Sequence, residues 1–112
     1  MTLNEEKNGE VYILSLKGEI DREGARTFQD RVTQILDSGE QRLLIDFSEV
    51  TYINSPGLSV LILVAKRLEK SGGRFALAGV NDSIQKVLRI SGLTSLFSIF
   101  PARSEALAAL SK

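Results

Sequence analysis

The feature that most constrains the fold is a polar corner between an apolar run and a helix that starts with proline. Leu43 to Ile45 is continuously apolar, which is typical of a strand buried on both faces, and Asp46 closes this run. Further on, Pro56 is tolerated only in the first turn of a helix, where its missing N–H would be unpaired anyway. We therefore predict a strand that ends at Asp46 and a helix from Pro56 to about Lys70 with Ser55 as its N-cap.

The predicted helix has one apolar face. Helical spacing places five apolar residues together toward the core: Leu58, Leu61, Ile62, Ala65 and Leu68. The opposite face, flanked by Val60, carries Ser59, Leu63, Lys66, Arg67 and Lys70. Val60 and Leu63 are apolar residues on this outer side that core packing does not explain.

Ser55 is the candidate working residue. In open α/β sheets, ligands and partners meet the crevice outside the carboxyl ends of the strands, and Ser55 is predicted there at the positive end of a helix. The alternative interpretation is that Ser55 only caps the helix and contributes about 1 kcal/mol. The local sequence alone favours capping.

The rest of the chain alternates between strand and helix patterns. Strands are predicted at Val11 to Leu16, Arg74 to Ala78 and Leu96 to Phe100, while the first ten residues form an edge strand or a frayed arm. Three further helices are predicted to begin after the capping residues Asp21, Asn81 and Ser104. In the helix after Asn81, the residues Ile84, Val87 and Leu88 are expected to face inward. We predict one α/β domain over residues 1–112, with a four- to five-stranded, mostly parallel or mixed sheet and about four helices.

Composition excludes several classes of function. The chain has 14 basic and 14 acidic residues without a block of like charge, so we expect no nucleic-acid partner. It lacks histidine and cysteine, and we expect no metal and no cofactor. No apolar run is long enough to span a membrane and no signal peptide pattern is present, so we expect no direct membrane insertion and a cytoplasmic location.

An enzymatic alternative is a small nucleotide hydrolase that uses Asp21, Glu23 and Asp46. It has little support, because Gly72 and Gly73 follow a helix and precede a strand, the reverse of a phosphate-binding loop. Asp46 has a plainer explanation, since an acidic residue at a strand end commonly orders the next loop through backbone N–H groups. We expect no enzymatic activity.

Three blocks of sequence resemble a known family. The central block is Asp46-Phe47-Ser48-Glu49-Val50-Thr51-Tyr52-Ile53-Asn54-Ser55-Pro56-Gly57-Leu58, and Gly18-Glu19-Ile20-Asp21 and Ile90-Ser91-Gly92-Leu93 flank it. In this order and at these separations, they resemble the STAS domain of bacterial anti-sigma factor antagonists. The resemblance covers essentially the whole chain.

The resemblance implies a non-enzymatic regulator of transcription that works by partner switching. Such proteins bind an anti-sigma factor that is also a serine kinase and thereby release a sigma factor. Phosphorylation of the serine that matches Ser55 ends the binding, and a PP2C-type phosphatase restores it. The implied partner surface comprises Gly18, Glu19, Asp21, Asn54, Ser55, Pro56, Gly57, Ser59, Val60 and Leu63, while Asp46 and Ser48 order the loop.

Two residues depart from the family pattern. Asn54 stands where aspartate is usual, which removes a negative charge, and Pro56 stands where serine or threonine is usual, which removes a backbone donor. The alternative within the same family is a STAS module without a phosphorylation switch. Such a module would serve a stressosome-like complex or a membrane lipid-transport ATPase complex.

Overall fold

The computed structural model describes residues 1–112, in which strands and helices alternate. The elements are β1 (Thr2–Asn8), β2 (Val11–Ile20), α1 (Arg22–Asp37), β3 (Arg42–Ile53), α2 (Ser55–Ser71), β4 (Arg74–Ala78), α3 (Asp82–Ile90), β5 (Ser98–Phe100) and α4 (Arg103–Leu110). The five strands form one sheet in the order β1-β2-β3-β4-β5. β1 runs antiparallel to β2 and the remaining pairs are parallel, which confirms the predicted mixed α/β sheet with four helices.

The sheet separates a large core from a small one. Because successive side chains of a strand point to opposite faces, Leu14 and Leu16 join α1, α2 and α3 in the large core, whereas Val11 and Ile13 face α4 in the small core. Three helices therefore cover one face, and the short C-terminal helix covers part of the other.

β3 is longer than predicted. It continues past Asp46 to Ile53, so the prediction that the strand ends at Asp46 is wrong. The cause is a long-range pairing, because β2 also extends to Ile20 and, after two register shifts, pairs Glu19 with Tyr52 and Ile20 with Ile53. Pairing with β4 stops at Asp46, so the rest of β3 pairs with β2 alone.

The chain ends differ in detail from the predictions. The first residues form the edge strand β1, as one of the two interpretations expected. The last strand is shorter than predicted, because Leu93–Ser95 forms a 3-10 turn and the strand begins only at Ser98. Val87 was expected to face inward, but 39% of it is exposed.

The terminal helix α4 begins at Arg103, next to Ala102, and no side chain caps it. The prediction of Ser104 as its N-cap is therefore wrong. None of the helices combines the length and the apolar character that crossing a bilayer would require.

Candidate functional site

The corner after β3 is capped by Asn54. Its Oδ1 accepts the N–H of Gly57 at 2.8 Å, and its own N–H donates to the carbonyl of Ile20 at 3.0 Å. Ser55 is therefore the first residue of α2, and the prediction that Ser55 is the N-cap is wrong. Pro56 lies in the first turn, as predicted.

The hydroxyl of Ser55 takes no part in the hydrogen bonds that cap α2. Ser55 is exposed, and only its backbone carbonyl accepts a side-chain hydrogen bond, from Ser59 Oγ at 3.2 Å. Because Asn54 satisfies the helix end, the Ser55 hydroxyl contributes no capping bond. It lies at the carboxyl end of β3 and is accessible to a partner.

Gly57 sets the rotation of α2 against the sheet. It is buried, and a Cβ at this position would lie 2.7 Å from Ile53 Cγ1 and 2.8 Å from Ile20 Cγ2. This close approach turns the helix relative to the predicted face. The residues that are buried on α2 are Gly57, Val60, Leu61, Val64, Ala65 and Leu68, whereas Leu58 and Ile62 are half-buried.

The rotation changes the predicted partner surface. Val60 is only 2% exposed, so the prediction that it flanks the outer face is wrong and it cannot contact a partner directly. Leu63 is half-buried against the large core, which gives it a packing role that the sequence did not reveal. Ser59 is exposed on the turn after Ser55, as predicted.

The segment from Gly18 to Asp21 lies beside the corner. The bond between the Ile20 carbonyl and the Asn54 N–H joins the two segments directly. Asp21 caps α1 by accepting the Gly24 N–H at 2.8 Å, as predicted, and both Glu19 and Asp21 are exposed. The fold thus brings together the two separate blocks of sequence that the resemblance assigns to a partner.

Tyr52 lies next to the corner and was not among the predicted site residues. It is paired with Glu19 across β2 and β3 and is 49% exposed. Paired residues on neighbouring strands point to the same face of a sheet, so Tyr52 and Glu19 lie together. An aromatic residue in a strand pattern is usually interpreted as core, but this part of β3 has no β4 neighbour and Tyr52 is exposed.

Asp46 orders the backbone and holds α4. Its Oδ1 accepts the Ser48 N–H at 2.8 Å, the role that was predicted, while its Oδ2 lies 2.9 Å from Arg103 Nη2. Arg103 also donates to Glu6 at 2.5 Å and to Ser15 at 2.6 Å, so one guanidinium links α4 to three strands. Burial raises the pKa of Asp46, but the bonds from Ser48 and Arg103 outweigh it and the net pKa is lowered.

Two carboxylates named in the hydrolase alternative, Asp21 and Asp46, have separate structural contacts. No group of three acidic side chains converges on a point where a cation could bind. Asp46, the central residue of the hydrolase alternative, is held by Arg103 and by the Ser48 N–H. The structure thus assigns Asp46 an ordering role.

Comparison with known proteins identifies the family. The STAS domain matches residues 2–106, so the chain belongs to the STAS domain family. BtrV of Bordetella bronchiseptica, named as an anti-sigma factor antagonist, is 32% identical over 97% of this chain and 94% of its own length.

Solved structures show the same fold. The crystal structure of an anti-sigma factor antagonist from Thermotoga maritima superposes with a TM-score of 0.93 at 28% identity, over 98% of this chain and 95% of that one. The Bacillus protein SpoIIAA, solved in a phosphorylated form, superposes with a TM-score of 0.78 at 20% identity. The superposition covers 96% of this chain and 98% of that one. The latter likeness shows the fold alone.

Proposed function

We propose that this protein is an anti-sigma factor antagonist that binds an anti-sigma factor serine kinase and so frees a sigma factor for transcription. In this proposal the kinase phosphorylates Ser55, which ends the binding, and a PP2C-type phosphatase removes the phosphate. The protein itself has no enzymatic activity and acts in the cytoplasm. The observation that carries the proposal is the exposed, unbonded hydroxyl of Ser55 at the corner.

The proposed partner surface surrounds that hydroxyl. It comprises the exposed parts of Gly18 to Asp21, the corner Asn54 to Pro56, and Ser59. Gly57 and Val60, which the resemblance also implied, are excluded by their burial, and Leu63 contributes only its exposed part. The family resemblance assigns two blocks of sequence to the partner. These blocks are distant in the sequence but adjacent in the fold, which supports this surface.

The first turn of α2 explains why a phosphate would stay at the surface. A helix N-terminus usually offers several free N–H groups to an anion. Here the Asn54 N–H is bonded to Ile20, Pro56 has no N–H, and the Gly57 N–H is bonded to the Asn54 side chain. These three residues therefore offer no free N–H to a phosphate on Ser55, and the charge would face the partner.

The charge then provides the switch. A phosphate adds about −1.5 to −2 charges at neutral pH. In an interface with a kinase pocket that already holds nucleotide phosphates, this charge is repelled and desolvated at a cost of several kcal/mol. Since about 1.4 kcal/mol corresponds to a factor of ten, affinity falls by two decades or more.

The departures from the family pattern are compatible with this cycle. Asn54 supplies the same capping oxygen that an aspartate would, without its charge, so the corner keeps its shape. SpoIIAA was solved in a phosphorylated form, so the fold can carry a covalent phosphate. We propose that Asn54 and Pro56 adjust recognition by the kinase and leave the acceptor in place.

A pull-down from lysate of the native host tests the proposal. Three baits are compared: the wild-type protein, Ser55→Asp, and the control Ser104→Asp, which places the same charge on an exposed serine in the first turn of α4. We expect wild type and Ser104→Asp to retain a serine kinase of the anti-sigma type and Ser55→Asp to lose it. Retention of the same transporter ATPase or signalling scaffold by all three baits would contradict the proposal.

A further inference from the structure

An apolar groove lies beside β4, at the opposite end of the sheet from Ser55. β5 pairs with β4 only from Ala76 to Ala78, so Arg74 and Phe75 have no neighbouring strand on that side. The gap is a groove of about 300 Å³, and seven of its nine lining residues are hydrophobic. A volume of this size is at the lower end of the range for small-molecule sites.

The groove walls come from three elements. Phe75 of β4 and Phe97 before β5 pack with ring centroids 5.1 Å apart, and Leu110 of α4 lines the other side. Leu96 contributes to the wall and is 39% exposed. The small side chain of Ala76 leaves space between these walls. Phe75 and Phe97 are only 9% and 8% exposed, so an apolar ligand body would replace water mainly against Leu96.

Arg74 is the charged residue of the groove. Lys7 and Arg42 lie at the same end of the sheet, but Lys7 is paired with Glu40 at 3.2 Å and Arg42 with Glu10 at 3.4 Å. Arg74 has no carboxylate partner, and its Nη1 makes only a long bond of 3.4 Å to the Ala109 carbonyl. Its guanidinium is thus available to an anion.

We propose that this groove binds a small monocarboxylate with an apolar tail. The planar fork of a guanidinium matches a carboxylate through two parallel hydrogen bonds, and the apolar walls accept a chain of several carbons. Ser98 also lines the groove and is exposed. This site does not depend on the proposed switch at Ser55, which lies at the carboxyl ends of the strands.

Amide-resolved NMR titration of the full chain at neutral pH tests the site with three probes: octanoate, octanol and acetate. Octanoate supplies charge and tail together, whereas each of the others supplies one of them. We expect octanoate to shift the amides of Phe75 and Ser98 saturably, and octanol and acetate to bind at least about tenfold more weakly. Equal binding of octanol, or shifts confined to other parts of the chain, would overturn the proposal.

Two variants separate the charge from the general fold. Arg74→Gln should weaken octanoate binding at least about fivefold and leave octanol binding unchanged, because only the charged head group loses its partner. Arg42→Gln is the matched control, since it removes a neighbouring cation that is already paired, and octanoate binding should not change. An unchanged octanoate affinity in Arg74→Gln would reject the assignment of Arg74.

Discussion

At the scale of single residues, Asn54 and Ser55 have separate tasks at the corner. The Asn54 side chain accepts the Gly57 N–H, so the end of α2 is satisfied without Ser55. The Ser55 hydroxyl is exposed and available to an incoming group. The proposed switch therefore uses a residue that the fold does not need.

Substitution at these two positions distinguishes a cap from a working residue. We expect Asn54→Ala to lower the free energy of unfolding by about 1 kcal/mol, because the Gly57 N–H loses its acceptor. Ser55→Ala should change it by less than about 0.5 kcal/mol. Urea denaturation of both variants and wild type measures this, and a loss in Ser55→Ala as large as that in Asn54→Ala would restore Ser55 as the cap.

The sequence predicted some caps and misplaced others for a physical reason. Asp21 has no other good capping residue beside it and caps α1 as predicted. Asn81 also caps its helix as predicted, although Asp82 and Ser83 follow it. Asn54 and Ser55 are adjacent and are both good caps, so local preference could not choose between them. The hydrogen bond from the Asn54 N–H to the Ile20 carbonyl fixes Asn54 as the cap. That contact joins segments that are far apart in the sequence.

At the scale of elements, α4 is fastened mainly by its first residue. No side chain caps the helix, and Ala106 and Leu110 are its only fully buried residues. Arg103 compensates by binding Asp46, Glu6 and Ser15. The attachment of this helix therefore depends on charge more than that of the other helices does.

Removal of this guanidinium should loosen α4. We expect Arg103→Met to destabilise the protein by about 2 kcal/mol, because Asp46 loses its charged hydrogen-bond donor, and to speed hydrogen exchange in α4 before α2. Arg67→Met is the control, since the Arg67–Asp37 pair is exposed and its loss should cost less than about 1 kcal/mol. Equal effects of the two variants would contradict the role of Arg103.

The same contact predicts a dependence on pH. The pKa of Asp46 is lowered in the folded protein, so its stabilising contribution is complete above the unfolded pKa of about 4 and is lost as pH falls through the folded value. Denaturation midpoints measured from neutral pH to about pH 3 should therefore fall less steeply in Asp46→Asn than in wild type. Identical slopes would show that Asp46 is not linked to folding.

A second charged contact joins β1 to α1. Glu5 accepts hydrogen bonds from Arg31, at 2.6 Å from Nη2, and from the Tyr12 hydroxyl. The bond to Glu5 raises the pKa of Tyr12, because the carboxylate disfavours the tyrosinate. The chain has two tyrosines and no tryptophan, so in Tyr52→Phe the ultraviolet absorbance reports Tyr12 alone.

We expect Tyr12 in this Tyr52→Phe background to ionise above the ordinary value of about 10, and the added change Glu5→Gln to lower its pKa. Spectrophotometric titration measures both. A Tyr12 titration that Glu5→Gln leaves unmoved would mean that the contact between β1 and α1 does not form.

Element order was predictable and element length was not. Alternating patterns and turn residues predicted the sequence of strands and helices, because those signals are local. The segment after Asp46 ends in the β-branched and aromatic residues Val50 to Ile53, but its polar residues were interpreted as a corner, and it forms a strand by pairing with β2. The face of α2 was likewise set by the close contact of Gly57 with the sheet, which moved Val60 into the core.

At the scale of the whole molecule, the two ends of the sheet differ in chemistry. The carboxyl ends of β2 and β3 present the neutral corner with Ser55, next to the exposed Glu19 and Asp21. The opposite end presents Arg74 and an apolar groove. The net charge of zero gives no long-range attraction, so a phosphate on Ser55 would change the local charge without opposing a large field.

The proposed switch at Ser55 is tested by the affinity of the purified kinase partner for two forms of this chain. Titration calorimetry compares the unmodified protein with protein fully phosphorylated on Ser55, after circular dichroism confirms that both forms are equally folded. Our prediction is that the phosphorylated form binds at least about a hundredfold more weakly, a difference of about 2.7 kcal/mol. Equal affinity of the two forms would contradict it.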